Sequence, residues 1–202
     1  MTLRRWFVLA FLLILQPAIA QKTAIFLDPD RNYREGLDLF GKQKYGAARE
    51  YFEAVLKNPK GSQESRMGSA YFIGACAAEL FHKDAEARLE QFLTEYPESP
   101  YYQEALYVTG NYLFRQKKYK KSADWFGRID MARASQERKD EVNFKTGYGY
   151  YMTNDYDKAS RSFYAVKDGN SKYASAARYY YAHMAYVNQN YETALKEFLK
   201  LR

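Results

Sequence analysis

A phased repeat constrains this chain more than any other feature. Tyr45, His82, Tyr119, Tyr156 and Tyr191 lie 37, 37, 37 and 35 residues apart. Three residues after each stands a small side chain: Ala48, Ala85, Ser122, Ala159 and Ala194. Seven residues after each stands a large apolar one: Phe52, Leu89, Phe126, Phe163 and Phe198. Nine residues before each comes another small one, Gly36, Gly110, Gly147 and Ala182, with Gly74 one residue closer in the second copy. A unit that recurs every 35–37 residues is one supersecondary element that buries its apolar face only against its neighbours. Small residues at fixed phase mark where two backbones approach. The small residue of the first helix is expected to meet that of the second, with the large apolar residue as a knob beside them, and anything larger than Ala there costs about 1–3 kcal/mol.

Punctuation agrees with helix pairs. Asp28-Pro29 and Ser99-Pro100 read as an N-cap followed by proline, and Ser62, Ser135 and Ser171 as caps of the other first helices. Asp168-Gly169-Asn170 reads as a stop and turn. First helices are expected near 29–42, 63–81, 99–117, 135–153 and 171–189, and second helices near 44–57, 83–95, 119–131, 155–166 and 191–202. No strand, linker or low-complexity tract is evident.

These residues resemble the tetratricopeptide repeat (TPR), whose pattern runs Leu-Gly-x-x-Tyr, then Ala-x-x-x-Phe, then Pro; Pro59 and Pro97 close the first two units. His82 replaces Tyr, Ser122 replaces Ala, and units three and four lack the proline. The resemblance implies an all-α, right-handed α-solenoid of about five TPR helix-turn-helix units over residues 29–202, with units near 29–61, 62–98, 99–134, 135–170 and 171–202 and a short lead-in at 21–28. Tyr96-Pro97-Glu98-Ser99-Pro100-Tyr101 and Ala105-Leu106-Tyr107-Val108-Thr109-Gly110 are similar to turns and helices of periplasmic repeat proteins of the bacterial envelope, the outer-membrane-assembly lipoprotein and the Tol-Pal-associated coordinator among them.

Residues 1–20 read as an export signal: Arg4 and Arg5, an apolar run from Trp6 to Leu15, and Ala18 and Ala20 ahead of a cut before Gln21. Ten apolar residues rise only about 15 Å against a hydrocarbon core of about 30 Å, so cleavage is favoured over anchoring. No later segment is apolar enough to span a membrane. The implied location is the periplasm, with peripheral outer-membrane association open and a eukaryotic secretory leader reading similarly. Gln21 stands where a lipoprotein would carry its lipid-bearing cysteine. The lone Cys76, among Gly74, Ala75, Ala77 and Ala78, allows no internal disulfide and reads as a buried, inert thiol. The formal charge is +7, or +5 without Arg4 and Arg5, and no basic block or motif marks a nucleic-acid partner.

No catalytic residue, metal site or cofactor is expected. Gly36 to Lys42 nearly spells a phosphate-binding loop, but Gln43 replaces the metal-binding hydroxyl and the stretch is helical by phase. His82 reads as a packing residue, and His183 has no ligand-type neighbour three or four residues away. Lys117, Lys118, Lys120 and Lys121 cluster at the turn of the third unit, either as a solvated turn or as a contact with an anionic partner such as phospholipid headgroups or an acidic protein face.

The resemblance places first helices on a concave face, with positions three before, one after and four after the small residue pointing into it. The first of these is aromatic throughout: Tyr33, Tyr71, Tyr107, Phe144 and Tyr179. Those rings either pack between helices or line a groove. Units three to five add Asn111, Phe114, Tyr148, Tyr151, His183 and Tyr186, where the first two units have Leu37, Phe40, Ala75 and Ala78. Tyrosine offers a rigid apolar body with a polar tip. The expected binding face for a protein or peptide partner is therefore Tyr107, Asn111, Phe114, Tyr148, Tyr151, His183 and Tyr186. The expected function is an exported scaffold in envelope assembly or maintenance. The alternative is the N-terminal TPR part of a longer protein whose effector part lies beyond residue 202. The last second helix, begun by Tyr191, runs to Arg202 without a closing turn, so the fifth unit is expected to continue, fray or pair with another molecule.

Overall fold

Helix formation follows the repeat's 3–4 residue spacing of apolar and small positions. The computed structural model describes residue 28 and residues 30–201; the export signal, with Ala20 and Gln21, lies outside the described residues. Among the described residues there are ten helices and no strand: α1 Arg31–Gly41, α2 Tyr45–Lys57, α3 Gln63–Glu79, α4 Ala85–Glu95, α5 Tyr102–Arg115, α6 Tyr119–Phe126, α7 Gln136–Met152, α8 Tyr156–Tyr164, α9 Ala174–Val187 and α10 Tyr191–Leu199. They pair as five helix-turn-helix units. The largest departure from the expected bounds is α6, which stops at Phe126. Single turns follow it, with Asp130 Oδ1 accepting from the Ala132 N–H at 3.0 Å.

Every first helix ends the same way. Gln43, Phe81, Lys117, Asn154 and Gln189 adopt φ of 57–62°, and none is glycine. At each, two backbone bonds close a Schellman motif, as where Lys117 N–H reaches Phe114 O at 2.9 Å and Lys118 N–H reaches Leu113 O at 3.0 Å. These left-handed residues stand seven positions after Gly36, Gly74, Gly110, Gly147 and Ala182. The small residue of the second helix follows five positions later, except Ala85, which follows Phe81 by four. The one-residue deletion of the second unit therefore falls inside its turn. This corrects the reading of His82: it is a turn residue with an exposed side chain, and its carbonyl accepts from Tyr112 Oη at 2.7 Å.

The caps divide similarly. Ser135 accepts from the Arg138 N–H at 3.3 Å, and Ser62 Oγ from the Ser65 N–H at 3.1 Å. Ser99 Oγ accepts from Tyr101 N–H at 3.1 Å and caps a leading turn, so α5 begins three residues later than the serine. Ser171 does not cap with its side chain: its hydroxyl is buried without a hydrogen-bond partner.

The large apolar knob lies directly over the first-helix glycine, beside the approach of small to small. A Cβ on Gly36 would stand 2.7 Å from the Phe52 ring, on Gly74 2.8 Å from Leu89, on Gly110 2.5 Å from Phe126, and on Gly147 3.1 Å from Phe163. The second-helix small residue reaches the first helix in unit three, where Ser122 Oγ donates to Gly110 O at 2.8 Å. Backbone contacts divide the chain into two compact bodies that part between Ser69 and Ala70, inside α3. In the first, Tyr33 packs on Phe52 with ring centroids 6.0 Å apart. The second holds the core cluster of Ala159, Phe163, Val166, Ala177 and Met184. Cys76 is fully buried there, as expected.

Candidate functional site

Positions three before, one after and four after the small residue are separated by four and three residues, so on any helix they form one stripe. On α5, α7 and α9 these stripes join. Phe114 meets Tyr148 at 5.8 Å between centroids, Tyr148 meets Tyr151 at 6.5 Å, Tyr151 meets His183 at 5.9 Å, and His183 stacks on Tyr179 at 6.4 Å. The result is a continuous aromatic ladder across three first helices. At its polar end Lys145 Nζ donates to Asn111 and to Glu141, and the Arg138 guanidinium lies 3.3 Å from the Tyr107 ring centroid. Tyr186 stands at the other end, 58% exposed, with its ring 5.6 Å from Tyr191.

The fivefold aromatic packs on its own unit. Tyr107 lies 6.3 Å from Phe126, Phe144 5.7 Å from Phe163 and Tyr179 5.9 Å from Phe198. Tyr71 is buried against Phe92 at 5.6 Å and stacks on Tyr101 at 4.8 Å. These rings hold first helix to second, and Tyr107 and Tyr179 reach the ladder from that position.

Sequence reasoning missed Tyr180. Its ring lies 5.1 Å from Tyr151, 5.7 Å from Tyr148 and stacks on Phe163 at 5.2 Å, so it ties the ladder to the core. Nothing in the run Tyr179-Tyr180-Tyr181 singled it out. It also missed that the repeat's own tyrosines join: Tyr119 lies 5.4 Å from Phe114, and Tyr156 lies 5.9 Å from Tyr151. Burial pushes the Tyr107 hydroxyl up to about 12. Burial, then the neighbouring Tyr148, Tyr151 and Tyr179, also raises Tyr180. The ladder thus presents apolar rings with hydroxyl tips on Tyr107, Tyr148, Tyr151, Tyr179 and Tyr186, groups that can donate or accept hydrogen bonds.

Lys117, Lys118, Lys120 and Lys121 are exposed at the α5–α6 turn, apart from the ladder except through Tyr119 between them, and Lys121 lies 3.4 Å from Glu86. The near-match to a phosphate loop lies in α1 and its turn. Among the described residues no group of His, Cys, Asp or Glu has the arrangement to hold a metal ion, and no helix is long and apolar enough to cross a membrane.

Residues 81–137 match the family model described as Tetratricopeptide repeat. No curated protein sequence matches the chain. Solved structures extend the likeness over most of it. MamA AMB-1 superposes with a TM-score of 0.69 at 17% identity, over 86% of this chain and 89% of that one. MamA 41-end from Desulfovibrio magneticus RS-1 gives 0.66 at 17%, over 86% and 93%. MamA MSR-1 gives 0.63 at 18%, over 85% and 95%. At such identities the likeness shows the fold, which is all-α and of the tetratricopeptide type.

Proposed function

We propose that the chain is an exported, non-enzymatic scaffold that holds a protein or peptide partner along the ladder of Tyr107, Asn111, Phe114, Tyr148, Tyr151, His183 and Tyr186, in the service of bacterial envelope assembly or maintenance. The observation that carries this reading is the unbroken ring-to-ring path from Phe114 to Tyr179 on the first-helix face. Rings needed only to hold helices together do not have to carry polar tips at consecutive turns. Interface hot spots favour Tyr because it adds contact area at small conformational cost. Export is supported by Arg4, Arg5, the Trp6–Leu15 run and Ala18-x-Ala20. The envelope setting is supported by the Tyr96–Gly110 likeness.

The experiment is capture from envelope extract with the full chain, followed by identification of what co-elutes. Tyr186→Ala, at an exposed ring, should weaken capture about tenfold while leaving the melting transition in place. The pair Tyr148→Ala with Tyr151→Ala should abolish capture and also cost about 2–3 kcal/mol of stability, because both rings lie against the core cluster. Normal capture by a folded double variant would remove the ladder from consideration.

A further inference from the structure

The α3–α4 and α5–α6 turns lie side by side. Tyr112 Oη donates to His82 O at 2.7 Å, Arg115 Nη2 donates to Ala78 O at 2.9 Å, and Lys121 lies 3.4 Å from Glu86. Together these contacts assemble an exposed surface carrying Lys83, Arg115, Lys117, Lys118, Lys120 and Lys121, opposed at close range by Glu79 and Glu86. Out of it stands Phe81, 51% exposed, with the Arg115 guanidinium 4.5 Å from its ring centroid and Leu80 beside it at 37% exposed.

Phe81 has no local justification. It occupies the left-handed turn position, φ 57°, where the other units place Gln43, Lys117, Asn154 and Gln189. A bulky ring is disfavoured in that conformation, and here it gains little burial in return. A protruding aromatic on the same surface as a cluster of cations is what an anionic bilayer selects: the ring enters the headgroup–acyl boundary while the cations meet phosphates. The cations also discriminate between partners. Five are lysines, hydrated point charges on flexible stems, where forked recognition of a protein carboxylate favours arginine. We propose that this surface docks the protein on an anionic phospholipid bilayer, with Phe81 inserted and the lysines of both turns against the headgroups. It is distinct from the ladder and leaves that face open.

The test is co-sedimentation of the full chain with vesicles of phosphatidylglycerol in phosphatidylcholine, and with phosphatidylcholine alone. The apolar Trp6–Leu15 run is on every variant, so differences between variants read the patch. Replacing Lys117, Lys118, Lys120 and Lys121 by Gln should weaken partition to anionic vesicles at least about a hundredfold, from about fivefold per lysine. Phe81→Ala should weaken it about tenfold. All five side chains are exposed, so helical content should not change in either variant. Phe81→Trp should give a larger blue-shifted emission component on anionic-vesicle addition than the parent, whose Trp6 and Trp125 are common to both chains. No loss of partition to anionic vesicles in the lysine variant relative to the parent would overturn the proposal. So would an unaffected Phe81→Ala together with equal binding of the parent to poly-glutamate, which would assign the patch to an acidic protein face.

Discussion

Helices α3 and α7 are both 17 residues long and both serve as first helices, yet they use the same positions in opposite ways. One and four residues after its glycine, α3 places Ala75 and Ala78, 2% and 0% exposed. At the same positions α7 places Tyr148 and Tyr151, half-buried rungs of the ladder. Alanine there leaves the helix backbone within reach of a neighbouring side chain, as Arg115 Nη2 donating to Ala78 O illustrates. Tyrosine holds the face apart and furnishes it with rings. One fold thus carries a sealed segment and a furnished one, and the choice is made by two side chains at fixed register.

The comparison breaks most visibly if the alanines are made tyrosines. Ala78→Tyr should cost at least about 3 kcal/mol, because a fully buried site has no room for a ring, and denaturant melts should show it. Tyr151→Ala, the reverse change at the matching position, should cost only about 1–2 kcal/mol, since that ring is half-buried.

The glycines sharpen it. A Cβ on Gly74 would meet Leu89 at 2.8 Å, and one on Gly147 would meet Ser162 at 3.0 Å and Phe163 at 3.1 Å. Gly74→Ala should therefore destabilise by about 1–2 kcal/mol. Gly147→Ala should fall within about 0.5 kcal/mol of neutral, because the helix-propensity gain of about 1 kcal/mol offsets milder crowding. Comparable losses at both would mean that α7 packs as tightly as α3.

The caps differ too. Phe81→Gly should stabilise by about 0.5–1 kcal/mol, and Asn154→Gly by no more than a few tenths, because Asn tolerates the left-handed region and Phe does not. Equal gains would show that Phe81 is not strained.

The smallest effect is acid sensitivity. Burial opposes the charge on Glu141, but the hydrogen bond and charge of Lys145, helped by Tyr107 and Arg138, hold its carboxyl below the ordinary 4.5. That contribution is present above pH 4.5 and is lost as pH falls through the depressed value. Gly68 occupies the matching position on α3, so of these two helices only α7 carries this group. Glu141→Gln should flatten the acid side of the stability–pH profile, and an unchanged profile would show that Lys145 is held by Asn111 instead.

Some contacts were beyond sequence reasoning because they join helices through residues 11 to 30 positions apart. Lys167 Nζ, 4% exposed, bonds Asp168 at 2.6 Å and Glu197 at 3.3 Å, while Arg178 bonds Glu197 at 2.8 Å and the Lys167 carbonyl at 2.8 Å. This buried network fastens α10 to the end of α8 and the start of α9. Buried charges persist only when every partner is in place, and that condition is set by how the helices meet.

The sequence alone determined the helical class, the number and phase of the units and the bounds of most helices, because a 35–37-residue period of small and large side chains admits few other packings. It also determined which residues share the first-helix face, since helical spacing dictates that. Only the tertiary structure decided which of those residues touch. Tyr180 joins the ladder through neighbouring helices, His82 stands exposed while its carbonyl takes the Tyr112 hydroxyl, and Phe81 is brought beside Arg115 of the next first helix. Each outcome depends on the angle and register between helices, quantities that arise from packing and have no signature in local spacing.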